Sequence, residues 1–303
     1  MILVYGDINL DILVQADGPK QYGSDVTGQI ALRGGGSAAN FAAWASFLGE
    51  RTTFIGRIGN DPAGLYLKEN LQYWGVNSAL EIDQHRSTGK ILLFIDVRGE
   101  RTMITERGTN LFLSAAQLAG VNWQGISHIH ITGYSLFAST ILVETTLKAL
   151  ELARELGLSV SFDPSSYALL KEFGPERFFR ITADTELFFP NLDEGMALTG
   201  LIKPEAIVTN LLPYYSIVVL KLGPAGCLIG RPGQLTRVAN RQIIENPDTT
   251  GAGDAFAAAF VCQYLKDRNN LLKAGQEANR VARQCLQIKG GRPPFKNNQS
   301  EDK

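Results

Sequence analysis

The stretch Asp248-Thr249-Thr250-Gly251-Ala252-Gly253-Asp254-Ala255-Phe256 holds the residues best placed to do chemistry. Gly251, Ala252 and Gly253 lead into a segment whose apolar positions Phe256, Phe260, Val261 and Tyr264 follow helical spacing. Free N–H groups at a helix start, together with the helix dipole, make an anion site. Such a site suits the phosphates of a nucleotide and the charge that develops when one is transferred. Asp254 lies at that helix start, where a carboxylate beside a bound phosphate can take a proton from an attacking hydroxyl. It can equally do no more than cap its helix, and spacing alone leaves both readings open.

Asp7, Asn9 and Asp11 follow the first apolar run and share one face if the chain stays extended. Ligands of open α/β sheets bind at the carboxyl ends of the strands. Carboxylates there suit a polyhydroxylated ligand; a solvated turn is the plainer alternative. Next comes Arg33-Gly34-Gly35-Gly36-Ser37-Ala38-Ala39-Asn40. Its glycines permit close approach by a ligand and can act as a hinge. Ser37 can cap the helix that follows, and Asn40 sets a polar side chain into an Ala-rich face. Gly34-x-Gly36-x-x-Ala39 also fits the dinucleotide fingerprint, which should follow the first strand and precede an acid about 20 residues on. Here an excursion precedes it, and the candidate acid, Asp61, sits at a helix N-cap.

Asn191 and Glu194, spaced i, i+3, can offer oxygen atoms to Mg²⁺ and its waters, or can cap a helix. Gly223 and Gly226 could let a nucleotide lie against the backbone, or could be ordinary turn glycines. His128 and His130 alternate on a strand without a third ligand and read as structural. No Lys is followed by Ser or Thr, so the P-loop motif is absent, as are the protein-kinase signatures. Phosphoryl transfer in this chain needs another scaffold.

The elements that must position these residues alternate. ILVYG, TTFIGRIG, SHIHITG, LSVSFDP, TELFFPN and SIVVLKLG read as strands. Helices are expected at Ser37 to Leu48, from Asp61-Pro62 to Gly75, at Ser139 to Leu156, at Asp193 to Leu198, at Gly253 to Lys266 and at Leu271 to Ile288. Cys227 to Val238 reads as a hairpin. This order implies an α/β protein with a mainly parallel sheet covered by helices on both faces. Ile12 to Leu32 and Lys90 to Thr105 break the alternation, with turns at Asp17-Gly18-Pro19 and Arg98-Gly99-Glu100. They suit a small β-sheet beside the main body, either a lid or plain edge strands.

Composition narrows the function. Twenty-nine Lys plus Arg against thirty Asp plus Glu leave a net charge of −1, so no nucleic-acid partner is expected. No apolar run approaches the ~18 residues of a membrane span. The start lacks a basic n-region and is not expected to be a signal peptide. Three cysteines form no CxxC pair, which suits a reduced, cytoplasmic chain. The 31 glycines fall in clusters rather than in a low-complexity run. Residues 296–303 are expected to be disordered.

Together the Asp-Thr-Thr-Gly-Ala-Gly-Asp-Ala-Phe and Gly-Gly-Gly-Ser-Ala-Ala-Asn stretches resemble those of the ribokinase-like carbohydrate kinases, the PfkB family, over roughly residues 1 to 290. The resemblance implies phosphorylation of a sugar hydroxyl by ATP with Mg²⁺. It implies a three-layer αβα Rossmann-like domain (1–11, 33–88 and 109–295) and a small β-sheet lid (12–32 and 89–108), with a homodimer formed through the lid. Asp254 then matches the catalytic base, and Gly251, Ala252 and Gly253 the anion hole. Asp11 with Asp7 or Asn9, joined by Gly35, Gly36 and Asn40, matches the sugar contacts. Arg101, Arg107 and Asn110 help to choose the substrate. Asn191 and Glu194 match an Asn-x-x-Glu motif that organises Mg²⁺ and phosphate. Gly223 and Gly226 match the nucleotide loop, with Lys221 and Thr250 beside it and Asn279 where adenine is contacted. Asp248, Thr250 and Lys289-Gly290-Gly291 resemble a monovalent-cation site that would take K⁺.

There are departures from the pattern. Lys221 stands where ribokinase itself usually has Thr and other members of the family carry Lys. Phe162-Asp163-Pro164 is followed by Ser165-Ser166-Tyr167, without the Asn and later Arg of many fructokinase and ketodeoxygluconate kinase sequences. Nucleoside kinases share the scaffold. An NAD(P)-dependent oxidoreductase and a non-catalytic sugar-binding regulator are the rival readings.

Overall fold

The apolar run Ile2–Tyr5 is fully buried because it pairs on both sides and is covered on both faces. This strand, β1, is followed by β2 (Asn9–Ala16), β3 (Gly28–Gly35), α1 (Ser37–Phe47), β4 (Thr52–Gly59), α2 (Pro62–Tyr73) and β5 (Asn77–Asp83). Then come β6 (Gly89–Ile95), β7 (Arg101–Glu106), α3 (Ala115–Ala119), β8 (His128–Thr132), α4 (Thr140–Glu155) and β9 (Ser159–Asp163). The chain continues through α5 (Tyr167–Phe173), α6 (Pro175–Thr182), β10 (Leu187–Phe188), α7 (Leu192–Thr199), α8 (Pro204–Leu211) and β11 (Ile217–Lys221). It ends with the hairpin β12 (Cys227–Arg231) and β13 (Gln234–Val238), then α9 (Ala252–Lys266) and α10 (Leu271–Cys285). This computed structural model describes every residue except 19–22, 96–100, 241, 243, 245–246 and 296–303. The turn expected at Arg98-Gly99-Glu100, the Arg101 side chain and the 296–303 tail lie outside the described residues.

A nine-stranded sheet runs in the order β13-β12-β11-β10-β9-β8-β1-β4-β5, parallel from β11 to β5 and antiparallel through the hairpin. Strand alternation sends Ile2 and Val4 into one core with α1, α2, α9 and α10. Leu3 and Tyr5 enter the other, with residues of α4 to α8. The result is three layers. From β1 the chain steps outward to β4 and β5, then returns to β8 on the other side of β1. The carboxyl ends of β1 and β8 therefore flank a topological switch point, where open α/β sheets bind ligands.

A second sheet, in the order β3-β2-β6-β7, stands apart. Its strands reach past the 12–32 stretch at both ends: β2 starts at Asn9 and β3 ends at Gly35, so the acidic run and the glycine turn belong partly to this sheet. One face looks into the site through Ile91, Leu93 and Met103. The opposite face leaves Ile30 71% and Ile104 60% exposed.

Most expected elements form where the pattern places them. The TELFFPN strand is shorter, pairing only at Leu187–Phe188, with one further bridge between Asn191 and Lys221. The last helix stops at Cys285. Helices α1 and α9 are Ala-rich, buried along most of their length and packed together. Small side chains let two helices lie this close under one sheet, and their amino ends emerge together at the switch point.

Candidate active site

A cavity of about 720 Å³ opens at that point. Asp7, Asn9, Asp11, Gly36 and Asn40 line it on one side, and Thr250, Gly251, Gly253 and Asp254 on another. Asn191, Glu194 and Lys221 close the third, while Arg107, Asn110 and Tyr134 also reach it.

Asp7, Asn9 and Asp11 do not extend one strand. The chain breaks between Tyr5 and Asn9, with Gly6 at φ +154°. Asp7 turns toward α1 instead. Its Oδ2 accepts from the Ser37 N–H at 3.0 Å and from Asn9 Nδ2 at 3.3 Å, and its Oδ1 accepts from the Ala38 N–H at 3.2 Å. Asn9 is fixed by Asn110, whose amide donates to it at 2.8 Å and also bonds both main-chain groups of Ile8. Asp11 keeps a buried Oδ1 with no hydrogen-bond partner among the described residues. Burial raises its pKa to about 7, opposed by the charge of Arg292 and reinforced by Asp7 and Asp248. An unpartnered carboxylate oxygen on a cavity wall is what a ligand hydroxyl would satisfy.

Ser37 does not cap α1, because Gly36 holds the N-cap position and makes no side-chain bond. The Ser37 hydroxyl instead donates to Asp254 Oδ1 at 2.5 Å, and Asn40 Nδ2 donates to Asp254 Oδ2 at 2.9 Å. Asp254 is thus held across the site from α1. Burial raises its pKa to about 7, against the pull of the Ser37 and Asn40 hydrogen bonds. A carboxylate has about four acceptor positions, so two donors leave room for a third.

Gly251 begins α9 with φ +71°, and its N-cap position carries no side-chain bond. A Cβ on Gly253 would lie 3.4 Å from the Lys221 ammonium, which donates to Asp163 Oδ2 at 2.5 Å. Burial works against the charge of Lys221, but Asp163 and Glu194 more than offset it and raise its pKa. Asn191 and Glu194 form a reciprocal capping box on α7: the Asn191 N–H donates to Glu194 Oε2 at 2.8 Å and the Glu194 N–H to Asn191 Oδ1 at 2.9 Å. The capping alternative is therefore the geometry seen, with both residues still on the cavity wall. Burial raises the Glu194 pKa, and Lys221 opposes this.

Other expected site residues stand off the main cavity. Gly35 lies behind it, against the Asp11 carboxylate. Asp248 bonds the N–H groups of Thr250 (2.9 Å) and Gly290 (3.0 Å). Asn279 donates to the Val238 carbonyl and lines a second cavity of about 360 Å³ with Asn240 and Lys273. Gly223, in the turn before Gly226, accepts from Asn240 Nδ2 at 3.1 Å, which ties that turn to the same cavity. His128 and His130 are buried on Ser159 and Ser161, and Phe41 stacks on His130.

The dinucleotide fingerprint loses its structural setting. Gly34 and Gly35 end a strand of the small sheet, and the Asp7 carboxylate fills the amino end of α1 where a pyrophosphate would lie. Sequence reading missed the Ser37–Asp254 bond, the Asp163–Lys221 pair and the buried Arg292. The i, i+3 spacing of Ser37 and Asn40 was visible, but their partner lies more than 200 residues away.

A three-layer αβα body, a small sheet beside its switch point and a carboxylate at a cavity-facing helix start suit the chemistry of the sugar and nucleoside kinases, and the sequence places the chain in that class. The pfkB family carbohydrate kinase model matches residues 1–298, and the chain belongs to that family. It is 29% identical to an uncharacterized sugar kinase of Archaeoglobus fulgidus over 82% of this chain and 96% of the relative. It is 28% identical to a fructokinase of Salmonella typhimurium, covering 86% and 83%. With an ATP-dependent ribose-1-phosphate kinase of Halopiger xanaduensis it shares 27%, covering 88% and 85%. The fold superposes on adenosine kinase from Sinorhizobium meliloti (TM-score 0.86, 21% identity, 96% and 95% covered). It also superposes on fructokinase from Vibrio cholerae O395 in its fructose, ADP and calcium ion bound form (TM-score 0.82, 23% identity, 96% and 94% covered). No helix among the described residues is long and apolar enough to cross a membrane.

Proposed function

We propose that this ATP-dependent carbohydrate kinase transfers the γ-phosphate of ATP to a hydroxyl of a sugar bound over Asp7, Asn9, Asp11, Gly36 and Asn40, with Gly35 backing Asp11. The observation that carries the reading is the placement of Asp254. It lies one helical turn from the open start of α9, is held by Ser37 and Asn40, and faces the cavity that Asp11 lines. In this reading the sugar hydroxyl donates to Asp254, which takes its proton as the oxygen attacks. The N–H groups at Gly251 and Gly253 meet the charge that develops on the phosphate, whereas the Ala252 N–H, expected to join them, donates to the Thr249 carbonyl at 3.3 Å. Lys221, already beside Gly253, offers a cation to it.

Mg²⁺, when bound, would neutralise phosphate charge. Among the described residues no group of three or more His, Cys, Asp or Glu converges to hold a metal. Glu194 and Asn191 supply oxygens suited to holding Mg²⁺ through water. The nucleotide base is assigned to the second cavity, along Gly223, Gly226 and Asn279, with Thr250 on the phosphate side. K⁺ is assigned to the main chain around Asp248 and Thr250. Arg107, bonded to the Tyr134 and Phe137 carbonyls, shapes the acceptor end. The exposed apolar face bearing Ile30, Leu32 and Ile104 supports a homodimer through the small sheet. Three buried free cysteines suit a reducing, cytoplasmic setting.

A nucleoside acceptor is the second reading, favoured by the apolar wall of Ile91, Leu93 and Met103, which suits a base as well as a sugar ring. ADP release with a panel of hexoses, pentoses, ketodeoxygluconate, ribose 1-phosphate and nucleosides decides between them. Turnover confined to nucleosides overturns the sugar assignment, and turnover with no acceptor overturns the kinase reading.

A further inference from the structure

Gly290-Gly291-Arg292, beyond the last helix, is wedged between the two halves of the site. On the phosphate side, Gly290 donates to Asp248, and a Cβ at Gly251 would fall 2.4 Å from the Gly291 Cα. On the acceptor side, Trp44 Nε1 donates to the Gly291 carbonyl at 2.9 Å, and a Cβ at Gly291 would fall 2.4 Å from Asn40 Nδ2. Arg292 completes the wedge. It is 7% exposed and donates to the carbonyls of Ala39 and Gly35, the latter at 3.1 Å.

Those two carbonyls matter because of what their segments carry. Gly35 supports Asp11 so closely that a Cβ there would lie 2.3 Å from both carboxylate oxygens. Ala39 precedes Asn40, which holds Asp254. Three consecutive glycines are the backbone least able to fix its own conformation. A buried guanidinium is costly, so one spent on main-chain carbonyls points to a demand for that geometry. Asp11 is the carboxylate that acts most strongly on the Arg292 charge.

We propose that Arg292 is a positioning residue for the acceptor half of the site: from behind the cavity it locks the Gly34–Gly36 turn and the first turn of α1, so that Asp11 and Asn40 face the sugar. The proposal rests on the sugar-kinase reading for its function but not for its geometry, and the test separates the two.

The full-length protein is compared with Arg292→Gln and Arg292→Lys. The first measurement needs no acceptor: carbon-13 NMR titration of the aspartate carboxyls, with the Asp11 signal identified through Asp11→Asn. Arg292→Gln raises the Asp11 midpoint by about one unit, and Arg292→Lys leaves it close to wild type. The second is initial-rate kinetics with D-fructose, D-ribose and any further panel sugar that the wild type phosphorylates. In Arg292→Gln the KM for the sugar rises about tenfold and kcat falls about tenfold as Asn40 loosens its hold on Asp254, while the KM for ATP stays within about threefold. Arg292→Lys keeps the charge but bridges only one carbonyl, so it shows a smaller split in the same direction. If Arg292→Gln does not fold, Arg292→Lys carries the kinetic test by itself. An unmoved Asp11 midpoint in folded Arg292→Gln overturns the proposal, as does an equal rise in both KM values in whichever variant folds. A wild type inert toward every acceptor overturns the kinase reading, and the titration still tests Arg292 against Asp11.

Discussion

Helices α1 and α9 start in the same way and end up with opposite tasks. Each begins at a glycine with positive φ, Gly36 at +91° and Gly251 at +71°, and each is Ala-rich and buried against the other. At α1 the Asp7 carboxylate accepts from the first N–H groups, so the protein fills its own anion site. At α9 the acid of the first turn, Asp254, is drawn aside by Ser37 and Asn40, and the helix start faces the cavity. A glycine-led helix start therefore says little by itself. What decides its use is whether a carboxylate of the same chain already occupies it.

The largest test of this contrast is Asp254→Asn. It keeps the size and the helix but removes the base, and kcat falls about 10³-fold in ADP-release assays with little change in either KM. Near-wild-type turnover would make Asp254 a structural residue and the two helix starts alike. Asp7→Ala attacks the filled start. Freed N–H groups at α1 lower stability by about 2–3 kcal/mol in urea unfolding, and turnover drops about 10²-fold as Ser37 and Asn40 shift. Gly251→Ala forces an L side chain into the left-handed region and onto Gly291. It costs about 1–2 kcal/mol and about tenfold in kcat, read by the same two assays.

Smaller effects sharpen the comparison. As the proposed base, Asp254 must be ionised, and burial raises its pKa to about 7, so kcat/KM is expected to fall tenfold per unit as pH drops below about 7. Ser37→Ala removes a hydrogen bond that favours the carboxylate. The acid limb then moves to higher pH, by about half a unit, while the rate at pH 9 changes little. Smallest is Ile104→Asp on the exposed face of the small sheet: in the proposed homodimer it shifts light scattering toward monomer and leaves the melting temperature within a few degrees, and a wild type that scatters as a monomer overturns the dimer proposal.

Much of the fold was legible because its signals are local. Asp61 caps α2 by accepting from the Gly64 N–H, with Pro62 at the first helical position, and Gly200 closes α7 in the left-handed region, each as short-range pattern predicts. The TELFFPN run misled by a few residues, since pairing on both sides, not β-propensity, set how much of it became strand. In the site, Gly36, Gly251, Gly253, Asp7, Asp11 and Asp254 line one cavity, whereas Gly35, Gly223, Gly226 and Asp248 stand off it, and the hydrogen-bond partnerships were not legible. Ser37 looked like a helix cap because Ser before an Ala-rich run usually is one. Only the approach of α9 offered its hydroxyl a charged acceptor.

The sequence by itself determined the alternation of strands and helices, the glycine-led starts of α1 and α9, and which residue types were available to bind phosphate and polyol. Those depend on steric limits and periodicities that act within a few residues. Tertiary structure alone decided which helix start faces the cavity, which carboxylate becomes the candidate base, and that Arg292 bonds the Gly35 and Ala39 carbonyls from the far end of the chain. These outcomes depend on burial and on charges brought together across tens to hundreds of residues. Burial is what lifts Asp11 and Asp254 out of the ordinary carboxylate range, and no local pattern encodes it.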